Sequence, residues 1–172
     1  MAHIVIIVPP EQFRDEELFE TRAELERAGH STVVASTTIR PCSGMLGGRV
    51  MPGLTLAQVD PELFDGVVFV GGPGVKRYYH DPQALRIARA MHERGKLVAA
   101  ICLAPVVLTN GGLLTGRNAT VSACEVKTLQ HVGAHYRGPG VVVDGNIITA
   151  DGPASARHFG HEIAAHFAPV IA

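Results

Sequence analysis

Short apolar runs alternate along this chain with longer segments of helical periodicity, and this alternation constrains the fold more than any other feature. It is typical of an α/β domain with a mostly parallel central sheet and helices on both faces. The length of 172 residues fits one domain, residues 1–172. The runs that predict strands are Ile4–Val8, Thr32–Ala35, Gly66–Val70, Leu97–Ile101, Ala119–Val121, Val141–Val143 and Ile147–Thr149. Helices are predicted over Glu16–Ala28, Asp81–Gly95, Ala104–Leu108, Glu125–His131 and Ala154–Phe167, and a hairpin excursion over Ile39–Leu56.

Composition excludes several classes of partner. With 15 basic and 16 acidic residues, the chain has no charge excess that would attract nucleic acid or an anionic membrane. The first apolar run stops at Pro9 and Pro10, which is too short for a membrane span, so it predicts a strand and not a signal peptide. The three cysteines, Cys42, Cys102 and Cys124, have no paired spacing, so no disulfide framework is expected and the cytoplasm is the expected compartment.

One cysteine lies where a strand passes directly into a helix. Cys102 follows the run that ends at Ile101, and the small residues Ala100 and Ala104 lie two positions on either side of it. This pattern predicts a nucleophile elbow, a sharp turn that projects the side chain from the carboxyl edge of the sheet. We expect the start of the helix to lower the pKa of the thiol and to offer N–H groups to an oxyanion. The alternative is that Cys102 is a small buried apolar residue, which is the favoured interpretation for Cys42 and Cys124.

Two other segments are expected at the same edge of the sheet. Gly71-Gly72-Pro73-Gly74 follows a predicted strand but lacks the spacing of a phosphate-binding loop. Its glycines either donate N–H groups to an oxyanion or simply end the strand. The second segment holds four carboxylates in residues 11–17, and at least three of these are expected to be solvated. Past the glycines, Arg77-Tyr78-Tyr79-His80 either flanks the pocket or packs its tyrosines on the surface.

Taken together these residues resemble the ThiJ/PfpI superfamily, which includes an intracellular protease, protein deglycases, glyoxalases and chaperone-like proteins. The resemblance covers nearly the whole chain, and the motifs agree in order and spacing. They are Phe13-Arg14-Asp15-Glu16-Glu17-Leu18, Ala28-Gly29-His30, Phe64-Asp65-Gly66, Gly71-Gly72-Pro73-Gly74, Ala100-Ile101-Cys102 and Val143-Asp144-Gly145-Asn146.

The resemblance implies a flavodoxin-like α/β sandwich that forms a homodimer or a higher homo-oligomer and needs no cofactor. It implies that Cys102 pairs with a protonated glutamate, Glu17 as first choice and Glu16 as second. A carboxyl buried beside a thiolate has a raised pKa, and as a neutral acid it donates a hydrogen bond and moves protons. Gly72, together with Gly71 and the backbone of Leu103, is implied as oxyanion donor, and Ser122 lies at the far side of the site.

This chain departs from the protease-like members of that superfamily. They have a histidine directly after the cysteine, where Leu103 stands here, and an acid from a neighbouring subunit, where Lys76 stands here. A histidine of the deglycase branch is replaced by Ser122. His80, His131 or His135 are candidates to supply an imidazole, although each is expected on the surface. Proteolysis therefore loses most of its support.

Histidine spacing raises the question of a metal site. His131 and His135, and His158 and His161, have spacings that a helix can use for metal binding. The first pair spans Gly133, which is expected to end its helix, and only Glu162 lies near the second pair. A solvated polar face is the favoured interpretation, so no metal is predicted.

Three functions follow from these residues. The first is a cysteine-dependent enzyme of the glyoxalase or deglycase type, which acts on small reactive carbonyls such as methylglyoxal or on glycated proteins through Cys102 and Glu17. The second is a redox-responsive stress protein in which Cys102 is an oxidation sensor. The third is a cysteine amidase or peptidase, weakened by Leu103 and Lys76.

Overall fold

The computed structural model describes residues 1–169. The last three residues of the predicted domain, 170–172, lie outside the described residues. The strands are β1 (His3–Ile7), β2 (Glu11–Phe13), β3 (Ser31–Ser36), β4 (Cys42–Gly44), β5 (Arg49–Val50), β6 (Leu54–Thr55), β7 (Gly66–Phe69), β8 (Leu97–Ile101), β9 (Asn118–Ala119), β10 (His135–Tyr136), β11 (Val141–Asp144) and β12 (Ile147–Ala150). The α-helices are α1 (Asp15–Arg27), α2 (Pro82–Glu93), α3 (Pro105–Asn110), α4 (Val126–His131) and α5 (Ala156–His166).

The central sheet has seven strands in the order β11-β12-β8-β7-β1-β3-β6. Every neighbouring pair is parallel except the hairpin of β11 and β12. The five strands β3-β1-β7-β8-β12 follow the flavodoxin-like order, in which the first strand lies between the second and the third. The predicted fold class is therefore confirmed.

Both faces of the sheet are covered because its strands are apolar on both sides. In β1, Val5 and Ile7 belong to one buried cluster, and Ile4 and Ile6 belong to the other. Helices α2 and α3 pack against the first face, and α1 and α5 pack against the second. Side chains alternate between faces along a strand, so continuous apolar runs indicate burial on both sides.

Within residues 1–169, no helix is long and apolar enough to cross a membrane.

The predicted hairpin excursion is present as β4 and β5, which pair antiparallel. The sequence did not predict that β2 joins them to form a separate three-stranded sheet, or that β6 extends the central sheet. The carboxylate of Asp15 accepts the N–H groups of Leu46 and Gly48 at 2.9 and 2.7 Å. These bonds fix the turn of the hairpin against the first turn of α1.

One predicted strand, Ala119–Val121, was wrong in extent. Only Asn118 and Ala119 form a strand, and they pair with β10 in a small separate sheet. The next N–H group, that of Thr120, donates to the side-chain hydroxyl of Thr149 at 2.9 Å. A side chain thus takes the place of a backbone partner, and the chain leaves the strand conformation before Val121. The last helix also begins later than predicted, because Pro153–Ser155 form a 3-10 turn.

Candidate active site

Cys102 lies in the turn between β8 and α3 with a backbone φ of 65°, in the left-handed region that favours glycine. Its N–H donates to the carbonyl of Ala150 at 2.9 Å, and its carbonyl accepts the N–H of Ser122 at 2.7 Å. A strained residue persists only where its surroundings fix it, and such residues cluster at functional sites. The two bonds fix the elbow at its N–H and at its carbonyl, and the side chain of Cys102 is half-buried.

Gly71, which follows β7, is the point at which groups from α1 and from the end of β8 come together. A Cβ atom at this position would lie 2.6 Å from Oε1 of Glu17, 2.6 Å from the carbonyl oxygen of Ile101 and 2.7 Å from Cβ of Cys102. The N–H of Gly71 donates to Oε1 of Glu17 at 2.9 Å. The absence of a side chain at Gly71 therefore lets the glutamate of α1 approach the cysteine that follows β8.

The side chain of Glu17 is fully buried, which sets its protonation state. Burial raises its pKa to about 8, against the opposing effects of the Gly71 N–H and the Cys102 thiol. Its second oxygen, Oε2, is buried without a hydrogen bond of ordinary geometry, although the thiol is close enough to act on the pKa. A buried carboxylate oxygen without a partner is costly, so the neutral acid is the stable form near neutral pH.

The pKa of the Cys102 thiol is raised to about 12, mainly by burial and next by the negative charge of Glu17. The N–H groups of Gly72 and Leu103 oppose this rise. The expected fall in the thiol pKa is therefore wrong, because desolvation outweighs the dipoles of the backbone. Protonation of Glu17 removes the repulsion between the two groups, so the position of that proton governs formation of the thiolate.

Glu16 is paired with Arg14 and not with the thiol. Its carboxylate forms an ion pair with Arg14, with Nε of Arg14 2.8 Å from Oε2, and this pair lowers the pKa of Glu16. Glu17 is thus the carboxyl that the structure places beside Cys102. The expectation that at least three of the four nearby carboxylates are solvated is wrong, because Asp15 is buried as well and binds the hairpin turn.

The remaining predicted residues surround the elbow from several sides. Gly72 has a φ of 100°, and a Cβ there would lie 2.5 Å from the backbone nitrogen of Arg14. The N–H groups of Gly72 and Leu103 act on the thiol of Cys102 and oppose the rise of its pKa. Ser122 holds the elbow through its backbone, and its hydroxyl lies 3.5 Å from Sγ of the exposed Cys124.

Within residues 1–169, no hydrogen bond or ion pair joins a histidine to the elbow at Cys102. His80, His131 and His135 are exposed, as are His158 and His161. Nε2 of His158 lies 3.2 Å from Oε1 of Glu162 on the surface of α5. In residues 1–169, no group of three His, Cys, Asp or Glu side chains is arranged to hold a metal ion.

Tyr79 is a neighbour of the site whose role the sequence left open. Its hydroxyl is buried without a hydrogen-bond partner, and burial together with Glu125, Cys124 and Cys102 raises its pKa. The adjacent Tyr78 is part of the core, where its hydroxyl donates to the carbonyl of Val8 at 2.9 Å. The sequence of two adjacent tyrosines after a glycine turn does not indicate which of the two rings packs in the core.

Replacement of Gly71 by alanine is expected to disrupt the site. The new methyl group would overlap Glu17, Ile101 and Cys102, and such overpacking costs roughly 1–3 kcal/mol of the free energy of unfolding. The matched control is Gly152→Ala, because a Cβ there meets no atom within 4 Å and the backbone is extended. Denaturant unfolding of both variants measures the cost. Equal stability of the two variants would contradict the close approach at Gly71.

The fold and the site define a class of α/β protein: a flavodoxin-like sheet with a cysteine in a strained elbow beside a buried, neutral glutamate. The profile of the DJ-1/PfpI family matches residues 2–166, and the chain belongs to this family.

Relatives and solved structures agree with this assignment. The deglycase PH1704 of Pyrococcus horikoshii is 34% identical over 150 residues, which cover 87% of this chain and 90% of that protein. The glutathione-independent glyoxalase DJR-1.2 of Caenorhabditis elegans is 28% identical over 159 residues, covering 92% of this chain and 85% of that protein. A ThiJ/PfpI domain protein from Brachyspira murdochii matches with a TM-score of 0.93 and 34% identity, covering 95% of each chain.

Proposed function

We propose that the chain is a cofactor-independent enzyme of the glyoxalase or deglycase type, with small 2-oxoaldehydes or their early adducts on proteins as substrates. The observation that carries the proposal is the buried carboxyl of Glu17, with its raised pKa, which lies beside Cys102 in the space left by the missing side chain of Gly71. Relatives named as a deglycase and a glyoxalase support the same class of reaction.

The proposed chemistry begins with addition of the thiol to the aldehyde. The sulfur of Cys102 bonds to the aldehyde carbon, and the thiol proton ends on the carbonyl oxygen, which gives a hemithioacetal. The N–H groups of Gly72 and Leu103 stabilise the charge that develops on that oxygen. Addition to a carbonyl needs no external oxidant or metal.

Conversion of a 2-oxoaldehyde to a 2-hydroxy acid is an internal redox reaction followed by hydrolysis. The aldehyde carbon is oxidised and the adjacent ketone carbon is reduced, so a proton leaves the first carbon and a proton is delivered to the second. The resulting thioester to Cys102 is cleaved by water, which frees the thiol. Glu17 relays these protons, because a carboxyl whose pKa lies near the working pH gives and accepts a proton at little cost.

The second candidate is an oxidation sensor, favoured by the partial exposure of Cys102. In this function peroxide oxidises the thiol to a sulfinate, and the N–H groups of Gly72 and Leu103 bind its oxygens. Amide hydrolysis is the weakest candidate, because Leu103 and Lys76 stand where protease-like relatives have catalytic groups.

Turnover distinguishes these functions. Purified protein with intact thiols is incubated with methylglyoxal, and loss of the aldehyde and formation of lactate are followed together. Equal amounts of both over many turnovers are the expected result. Consumption limited to one equivalent per chain would contradict the enzyme, and selective oxidation of Cys102 when peroxide is added to the same protein would favour the sensor.

We further propose that residues 1–172 form one domain that acts in the cytoplasm as a homodimer or higher homo-oligomer. The hairpin of β4 and β5 and its flanks support association, because they leave large apolar side chains exposed to 43–62%: Ile39, Met45, Leu46 and Met51. Sedimentation equilibrium tests this, and Leu46→Glu is expected to shift the protein toward monomer. A wild-type protein that is monomeric at all concentrations would contradict it.

A further inference from the structure

A cavity at the carboxyl edge of the sheet, apart from the site at Cys102, is lined by three arginines. It has a volume of about 360 Å³, within the lower range of small-molecule sites. Arg40, Arg49 and Arg77 line it, together with the hydroxyl-bearing residues Thr37, Thr38 and Ser43. The remaining lining residues are Pro10, Glu11 and Pro41. Arg40 and Arg49 come from the hairpin of β4 and β5 and its flank, whereas Arg77 follows β7, so the tertiary fold brings the third arginine to the other two.

Within residues 1–169, the guanidinium groups of these three arginines donate no hydrogen bond to another residue, and no ion pair engages them. Arg14, Arg27, Arg94, Arg117 and Arg157 each form one with a carboxylate. Glu11 is the single acidic residue among those that line the cavity in residues 1–169, and no arginine of the three lies within 4 Å of its carboxylate. Three guanidinium groups against one carboxylate leave the cavity with a net positive charge. The guanidinium groups repel one another, and a bound anion would relieve this repulsion.

The cavity lies where this fold class binds ligands. Its walls follow the carboxyl ends of three adjacent strands: Glu11 follows β1, Thr37 and Arg40 follow β3, and Arg77 follows β7. In the flavodoxin-like order, the strand sequence reverses at β1 and β7, and the crevice outside that reversal is the preferred ligand site. The position is therefore favourable for a bound molecule independently of the charges.

A wall of backbone separates this cavity from Cys102. A Cβ at Gly74 would overlap the carbonyl oxygen of Glu11, and a Cβ at Gly72 would lie 2.5 Å from that of Gln12. Strand β2 therefore packs tightly against the glycine turn. Glu11 of this strand lines the arginine cavity, and Gly72 lies on the other side of the strand. A ligand in the cavity would not be the aldehyde that reacts at Cys102.

We propose that the cavity lined by Arg40, Arg49 and Arg77 is a binding site for a small phosphate monoester. Guanidinium groups match phosphate oxygens with two parallel hydrogen bonds, which a single point charge does not provide. Thr37, Thr38 and Ser43 supply hydroxyl donors; Thr38 already accepts the N–H of Arg40 at 3.0 Å and keeps its own proton to donate. The volume exceeds that of a free phosphate ion, and the remainder suits the organic group of an ester.

Binding of glycerol 1-phosphate, inorganic phosphate and glycerol at matched ionic strength tests the site. Calorimetry is expected to give one glycerol 1-phosphate per chain, bound more tightly than inorganic phosphate, with no binding of glycerol. Arg49→Gln and Arg77→Gln are each expected to weaken binding at least about 10-fold, since each removes charge-assisted bonds to phosphate. Arg157→Gln, which removes an exposed arginine on α5, is the matched control and is expected to leave the affinity unchanged.

Unfolding measurements keep the test independent of folding defects. Without ligand, Arg49→Gln and Arg77→Gln are expected to match or exceed the wild-type melting temperature, because they relieve repulsion between like charges. The stabilisation that the phosphate ester gives the wild type is expected to be lost in both variants. Equal affinity of these variants, the control and the wild type would overturn the site. Equal affinity for inorganic phosphate and the ester would overturn the ester as its ligand.

Discussion

Cys102→Ser is expected to reduce turnover of 2-oxoaldehydes by at least about 1,000-fold, the order found when an activated nucleophile is removed. A serine hydroxyl has a far higher pKa than a thiol, and the proposed site has no histidine to deprotonate it. The variant keeps the volume of the side chain and the left-handed backbone at φ 65°, so its stability is expected to change little. The measurement is kcat/KM from lactate formation, together with denaturant unfolding.

Two other cysteines provide matched controls for this loss. Cys124→Ser removes the exposed thiol beyond Ser122, and Cys42→Ser removes a buried thiol in β4. Full turnover by Cys124→Ser is expected, whereas Cys42→Ser is expected to lose stability because the smaller hydroxyl leaves space at a fully buried position. Loss of turnover in Cys124→Ser with full turnover in Cys102→Ser would show that Cys124, and not Cys102, is the nucleophile.

Sequence predicted the central sheet and the elbow because both depend on strong local patterns. A run such as Leu97–Ile101 is apolar at every position, which indicates a strand buried on both faces, and the structure has the strand with these bounds. The Cys102 corner was predictable because only small residues fit beside a turn that sharp. The strand and the turn are both determined by residues that are close together in the sequence, and both predictions use only such residues.

Tertiary contacts decided what the sequence did not predict. The strands β2, β4 and β5 have three residues or fewer, too short for an alternating pattern to be recognised. Glu16 and Glu17 are the same residue type, and only the packing of α1 directs one toward Arg14 and buries the other. The raised pKa of Cys102 is a consequence of burial, which the order of residues does not reveal. The arginine cavity joins the hairpin that carries Arg40 and Arg49 to Arg77, which lies far from it in sequence.

Glu17→Gln is expected to change how stability depends on pH, because the pKa of Glu17 differs between the folded and the unfolded chain. In the unfolded chain it is the ordinary value of 4.5, and in the fold it is about 8. Below pH 4.5 the group is protonated in both states and its contribution is fully present. Between these values the unfolded chain releases a proton that the fold retains, which favours unfolding.

This difference predicts a loss of stability as pH rises. Across the interval from the unfolded to the folded pKa, wild type is expected to lose on the order of 5 kcal/mol, relative to Glu17→Gln, at about 1.4 kcal/mol per pH unit. The amide of glutamine does not titrate but retains an oxygen that accepts the N–H of Gly71. The variant is therefore expected to become progressively more stable than wild type toward pH 8, while it loses the proton relay and with it turnover.

Urea unfolding at several pH values between about 5 and 8 measures the slope, and Glu16→Gln is the matched control. The pKa of Glu16 is lowered by Arg14, so its removal is expected to leave the slope in this interval as it is in wild type. All other titratable groups are common to wild type and Glu17→Gln, so the comparison between the two cancels their contribution. Parallel slopes for wild type and Glu17→Gln would mean that the carboxyl is ionised in the fold near neutral pH. A neutral acid beside Cys102 would then be excluded, and with it the proton relay on which the carbonyl chemistry depends.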